Sequence, residues 1–461
     1  MDLLASNESY IDRPEHVLAD DTIDTANGTR EHDRTNRTER RGRRSRPGQS
    51  DVGFVDGSDD DRACGCRILR FQGGERVMST STDTDGTSAI TTYWHDRMLD
   101  HEPPGGAFKF PSSPIVAAEE THPDRRERVE NIRAMLDHCF PDENRYVEPP
   151  EADRTEIERV HDPEYVDWLE EFCTEGGGRI EDTATGVNEA TAEAARYAAG
   201  AAIAAVESAF EGSVTVPYAL CRPSGHHAQP ACADGFCFFN NAAIAVESAV
   251  AAGVERTAII DWDVHHGNGT QAAFYDRDDV LFVSAHNDHG SWHEEYHPQE
   301  GSLDEAGRAE GEGYNINIPL PPGTGDRGYD RLFDRIVDPI VSAYDPDLVV
   351  VSAGQDAGPA DPNARNLVTR DGFRNLGERV RRLANETADG RFALIQEGGY
   401  QFSHLSFATL GVFEGVLDRR IELEHYGDGD PFERFDEPTG LVDDWLDEAV
   451  DYHSQYWEAI R

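Results

Sequence analysis

Lysine is almost missing from this 461-residue chain: Lys109 stands alone. Arginine supplies nearly all of the 42 basic residues, set against 90 acidic ones, for a formal charge of −48. A surface of that sign repels phosphate backbones, so direct nucleic-acid binding is not expected. Carboxylate-rich, lysine-poor compositions suit proteins kept dissolved and screened by concentrated salt, which points to a halophilic setting. Cysteine is scarce as well, at seven, an odd number without zinc-finger spacing. Cys64 and Cys66 flank one glycine in a polar stretch, too little framework for a structural metal or a disulfide scaffold. The expected compartment is reduced and cytoplasmic. No apolar run reaches the ~20 residues of a membrane-spanning helix, and the opening MDLLASNESYIDRPEH lacks a basic-then-apolar secretion signal. A membrane protein is therefore not expected.

Residues 1–89 lack sustained periodicity too. They are rich in Asp, Arg, Thr, Ser, Asn and Gly, and read as a low-complexity, disordered tail. Its basic run Arg40–Arg46 reads as a solvated charge run. Met78 is an alternative start, because folded-looking sequence begins soon after it. Residues 90–461 read as one large domain. VTVPYALC (214–221), TAIIDWDV (257–264), DVLFVSA (279–285), LVVVSAG (348–354) and RFALIQEG (391–398) have the Val, Ile, Leu and Phe content of buried strands. Between them lie ATAEAARYAAGAAIAAVESAF, NAAIAVESAVAA, GYDRLFDRIVDPIVSAY and DGFRNLGERVRRLANETA, all helical in pattern. Alternation of this kind predicts an α/β fold with a central parallel sheet flanked by helices.

Ligands of open parallel sheets bind beyond the carboxyl ends of the strands. There the chain places His226–His227, then Asp261–Trp262–Asp263–Val264–His265, then Ser284–Ala285–His286, Asp356 and Tyr400. In an extended segment Asp261, Asp263 and His265 lean the same way, and two carboxylates with one imidazole bind a divalent ion with positions left open. Asp263, His265 and Asp356 are the expected ligands, with Asp261 behind them. A histidine is suited to take a proton from water near neutral pH, and a tyrosine hydroxyl can donate to a developing oxyanion.

The segments RPSGHHA, DGFCFFNNAAIA, DWDVHHGNGTQ, VSAGQDA and EGGY, in this order, resemble the zinc-dependent histone deacetylase superfamily of the arginase/deacetylase fold. HPDRRERVENI and HDPEYVDWL resemble its entry segments, and DWDVHHGNGTQ is similar to the class II branch and its prokaryotic and archaeal relatives, acetylpolyamine amidohydrolases and acetoin-utilization proteins among them. The resemblance runs from about residue 90 to the low 420s. It implies Zn²⁺ on Asp263, His265 and Asp356, with Fe²⁺ or Co²⁺ as alternatives. It implies His226 and His227 as the general base and acid, Asp261 orienting His226, Asn268 tuning His227, and Tyr400 polarising the carbonyl. Gly235 and Phe236 are implied as one wall of the acyl-lysine tunnel. A structural K⁺ is implied at Asp261, Asp263, His265, Ser284 and Ala285. The opposite wall departs from the family pattern in HNDHGSWHEEYHPQEGSLDEAG (286–307), where His297 or Trp292 replaces the customary aromatic; Gln355 is a second departure.

The expected activity is metal-dependent removal of an acetyl or other acyl group from lysine side chains or small amines such as polyamines. An arginase-like binuclear hydrolase and a non-catalytic acyl-lysine binding module are the competing readings.

Overall fold

The computed structural model describes residues 89–180, 184–288, 300–426, 431–432 and 435–461. The expectations for the tail, Met78, the Cys64/Cys66 pair, Trp292 and His297 lie outside the described residues. Among the described residues ten strands follow: β1 (Ile90–Tyr93), β2 (Asn144–Val147), β3 (Gly178–Arg179), β4 (Gly186–Val187), β5 (Val216–Ala219), β6 (Thr257–Asp261), β7 (Val280–Asn287), β8 (Asn315–Leu320), β9 (Leu348–Ala353) and β10 (Phe392–Gln396). Strands β3 and β4 pair as a small antiparallel hairpin. The other eight form one parallel sheet in the order β2-β1-β5-β10-β9-β6-β7-β8.

Every residue of β5, β6, β7, β9 and β10 is buried, which is why these segments carry continuous runs of Val, Ile, Leu and Phe rather than an alternating pattern. Helix Thr191–Phe210 packs on β5 and β10 and against helix Asn241–Ala251. Helix Arg370–Thr387 packs on β9 and β10 and against Phe402–Val416, which in turn meets Glu127–Cys139. Among the described residues no helix is long and apolar enough to cross a membrane.

Two sequence expectations change in detail. The strand expected over 257–264 stops at Asp261, and the chain bends through Asp263–His265. The helix expected over 328–344 contains a wide turn at Phe333–Val337 between Asp326–Leu332 and Asp338–Tyr344. Pro339 has no N–H to give to the carbonyl one turn back, and a local widening absorbs the missing bond.

The topology decides where chemistry can gather. The strands β5, β10, β9, β6 and β7 are consecutive neighbours and run parallel. Their carboxyl ends therefore share one rim, the position where such sheets hold ligands.

Candidate active site

Asp261, the last residue of β6, is fully buried and stands in register with Ser284 of β7 and Ser352 of β9. Its Oδ1 accepts the N–H of Asp263 at 3.0 Å, which turns the chain out of the strand. Its Oδ2 accepts from His226 Nδ1 at 3.0 Å. Asp261 thus shapes the bend and orients a histidine brought from beyond β5.

Asp263, His265 and Asp356 gather their donor atoms within 4.8 Å of one another, all buried. His265 Nδ1 lies 3.1 Å from Asp263 Oδ1 and 3.0 Å from Asp356 Oδ2. Ligand atoms about 2.0–2.1 Å from one tetrahedral ion stand roughly 3.3 Å apart, so this triangle fits a single small divalent ion. The far oxygens are already committed: Gly398 N–H donates to Asp263 Oδ2 at 2.8 Å and Val264 N–H to Asp356 Oδ1 at 2.8 Å. Backbone bonds of this kind aim the remaining oxygens at a common point. Glycine is required around them, because a Cβ on Gly354 would fall 2.0 Å from Asp263 Oδ2, and one on Gly398 would fall 2.3 Å from Asp356 Oδ2.

The electrostatics agree with a cation site. Burial alone would depress His265, yet the Asp263 and Asp356 carboxylates outweigh it and raise its pKa to about 9. Burial raises the Asp356 carboxyl, and the charge of Asp263 adds to the rise. Two carboxylates held this close in a dry place call for positive charge between them. A second buried group, His226, Cys237 and Glu397, also has ligand types within reach. Burial pushes the Cys237 thiol far above its ordinary range, and Glu397 Oε2 is already taken by the N–H groups of Gly225 and His226. That group braces the histidine loop; the Asp263 group fits an ion.

The two histidines lie beside this triangle, their ring centroids 4.1 Å apart, with His227 5.8 Å from the His265 ring. His226 Nε2 is 3.8 Å from Asp263 Oδ1. Burial opposes charge on His226, but Asp263 and Asp261 together hold its pKa well above the usual value. His227 differs: burial, then the neighbouring His226 and His265, hold it well below. Its Nδ1 meets Asn268 Oδ1 at 2.8 Å. Adjacent imidazoles thus have opposite protonation tendencies.

Tyr400 follows β10 and is buried, its ring edge-on to Phe236 at 5.6 Å. Burial raises its hydroxyl pKa far above the ordinary value, against the pull of Arg128. The Arg128 guanidinium lies 4.6 Å from the Tyr400 ring centroid and donates to the carbonyls of Gly399 (2.5 Å) and Glu397 (2.7 Å). Sequence reasoning assigned Arg128 no role. The segment HPDRRERVENI is mostly charged, and the clue was Arg128's place one turn before Ile132 on the helix face that Val129, Ile132, Met135 and Leu136 bury; the structure buries Arg128 completely. Asp361 was missed too: it accepts from the N–H groups of Tyr400 (2.5 Å), Gln401 (3.2 Å) and Asn363 (2.8 Å), and so fixes the turn bearing Tyr400.

Phe236 has φ +71° and its N–H meets Thr185 Oγ1 at 3.3 Å, so the β3–β4 hairpin helps hold this aromatic beside Tyr400. Gly235 precedes it at φ +51°, against the His227 ring. Ser284 and Ala285 are buried in β7, and Ser284 Oγ meets His286 Nδ1 at 2.9 Å. His266 lies apart from the triangle; its Nε2 meets Asn317 Oδ1 at 3.1 Å and its ring packs on His286.

The histone deacetylase domain model matches residues 122–416, a span that takes in the whole constellation. The chain belongs to the histone deacetylase family. It is 39% identical over 380 residues to histone deacetylase 8 of Arabidopsis thaliana, covering 81% of this chain and 99% of that one. It is 42% identical to a histone deacetylase-like amidohydrolase of Pseudomonas aeruginosa, over 58% of this chain and 68% of the other. Among solved structures, that of the HDA15 HD domain superposes with a TM-score of 0.70 at 32% identity, covering 81% of this chain and 96% of that chain. Family and fold therefore agree with the sheet rim described above, and the family makes this chain a metal-dependent deacetylase.

Proposed function

We propose that the chain hydrolyses the acetyl amide of acetylated lysine side chains or acetylated small amines such as polyamines. The observation that carries this reading is the His226–His227 pair seated beside the Asp263–His265–Asp356 triangle, with Tyr400 at the same rim. In this reading the triangle holds Zn²⁺, with Fe²⁺ or Co²⁺ as alternatives for the same donors. A divalent ion there supplies Lewis acidity, polarising a carbonyl and acidifying water.

The other steps belong to the chain's own groups. His227, kept neutral by burial, draws the proton from the attacking water through its Nε2. The Tyr400 hydroxyl, held protonated, donates a hydrogen bond to the carbonyl oxygen as charge develops on it. His226, tied to Asp261, stands beside His227 and shares the proton traffic of the pair. The proton then passes from the histidine pair to the departing amine nitrogen as the C–N bond breaks. Arg128 and Asp361 position the turn that carries Tyr400. Phe236 flanks the acyl-lysine stem. Asp261 and Ser284, in register on adjacent strands, support a K⁺ site with Asp263, His265 and Ala285.

An acidic surface attracts cationic substrates, and this supports basic acetylated peptides or acetylpolyamines over neutral amides. The same composition supports a working environment of high salt. The test is turnover by zinc-reconstituted protein in concentrated KCl on acetyl-lysine peptides, acetylpolyamines and longer acyl-lysines, with a chelator control and a metal count. Chelator-sensitive release of acetate with one catalytic divalent ion per chain is expected. Two such ions would favour the binuclear reading, and binding of acetyl-lysine without turnover would favour the non-catalytic one.

A further inference from the structure

Asp234 belongs to the segment DGFCFFNNAAIA but has no part in the chemistry described so far. Its two carboxylate oxygens face two different supports of His227. Oδ2 accepts from Asn268 Nδ2 at 3.0 Å, and the other end of that amide, Oδ1, meets His227 Nδ1 at 2.8 Å. Oδ1 of Asp234 accepts the N–H of Gly235 at 2.8 Å. Gly235 presses on the same imidazole: a Cβ there would lie 2.1 Å from His227 Cδ2. One side chain thus bonds to the group at the ring's edge and to the backbone at its face.

An asparagine amide is nearly symmetric in shape, so its partners decide which end points where. A carboxylate accepts only; the end of Asn268 that faces Asp234 must be the NH₂. The amide oxygen is thereby committed to His227, whose Nδ1 must carry the hydrogen, leaving the lone pair on Nε2. With the amide reversed, its NH₂ would face Nδ1 and the ring would carry its proton on Nε2, where it could accept none. A carboxylate at position 268 would need no such guard, because both of its oxygens accept.

We propose that Asp234 is a positioning residue that sets the tautomer and orientation of His227 through Asn268 and Gly235. This rests on the reading of His227 as the base. Asp234→Asn is nearly isosteric but carries one acceptor where two are needed, so an NH₂ opposes either Asn268 or the Gly235 N–H. The reciprocal exchange D234N/N268D restores a donor–acceptor match between the two side chains.

The experiment measures kcat and KM of the full-length, metal-loaded wild type, D234N and D234N/N268D on an acetyl-lysine peptide, each at its own pH optimum. ¹⁵N NMR of the imidazoles reports the His227 tautomer in the same proteins. D234N is expected to lower kcat by about 10–100-fold, the usual scale for partners of this kind, with KM little changed. His227 should lose its Nδ1–H form in D234N, and the exchange should restore both rate and tautomer. Wild-type kcat and tautomer in D234N, or a loss the exchange does not recover, would overturn the proposal. Should the wild type release no acetate, the deacetylase reading falls while the tautomer comparison still decides the role of Asp234.

Discussion

At the scale of single residues, the proposed reading assigns some side chains to holding an ion and others to moving protons, and substitution should separate them. Tyr400→Phe removes one hydroxyl and leaves the Asp263–His265–Asp356 triangle untouched. Its kcat should fall by about 10²–10³, the usual cost of one oxyanion donor, while bound metal measured by atomic absorption stays at the wild-type level. Asp356→Ala removes one corner of the triangle and should lose the metal and the activity together. Wild-type turnover in either variant would contradict the roles assigned. Much of this was legible in the sequence, because Asp261, Asp263, His265 and the two histidines sit in short segments at the ends of apolar runs. Asp234, Arg128 and Asp361 were not. Arg128 does pair with Asp124 four residues earlier, but the bonds that tie the three to the site run to main-chain carbonyls and amides or to an amide side chain far along the sequence, which local spacing does not report.

At the scale of elements, the apolar strands were readable and the polar ones were not. β2 is an edge strand whose four side chains are all partly or fully exposed, and its sequence NRYV carries no run. β8 alternates Asn315 and Asn317 with isoleucines, and the asparagines are buried on Gln271 and Glu305 rather than facing water. Loops are held by polar groups in the same way, and His161 shows what this does to stability. Its Nδ1 meets the carbonyl of Gln229 at 3.0 Å and its Nε2 accepts the N–H of Asn240 at 2.9 Å, so only the neutral ring with hydrogen on Nδ1 makes both bonds. Burial lowers its pKa to about 4. Below the unfolded value near 6.5 the unfolded chain takes up a proton that the folded chain refuses, so stability falls as pH drops from about 6.5 towards 4. The contribution of this one residue is about 2 kcal/mol at pH 5. His161→Gln keeps a donor and an acceptor without titrating. Denaturant midpoints at pH 7 and pH 5 should therefore fall less in the variant than in the wild type, and equal falls would show that His161 does not carry this dependence.

At the scale of the whole molecule, charge is the dominant feature. With 90 acidic residues against 42 basic ones, repulsion among carboxylates outnumbers attraction even though many arginines are paired, as Arg379 is with Asp330, Asp334 and Asp338. Salt screens both, but the repulsive sum is the larger, so added KCl should stabilise the fold. The screening length shrinks from about 10 Å at 0.1 M to about 3 Å at 1 M, so the melting midpoint should rise steeply over that range and flatten above it. A midpoint that instead climbed linearly with salt would point to general exclusion of salt from the surface. The same field should act on substrates with the opposite consequence. KM for a basic acetyl-lysine peptide should rise with KCl as attraction to the acidic surface is screened, whereas KM for an uncharged acetyl-lysine amide should stay nearly level. Steady-state kinetics on both substrates across one salt series decides the point. Parallel KM curves would mean that the charge serves solubility alone and that the site selects its substrate by shape.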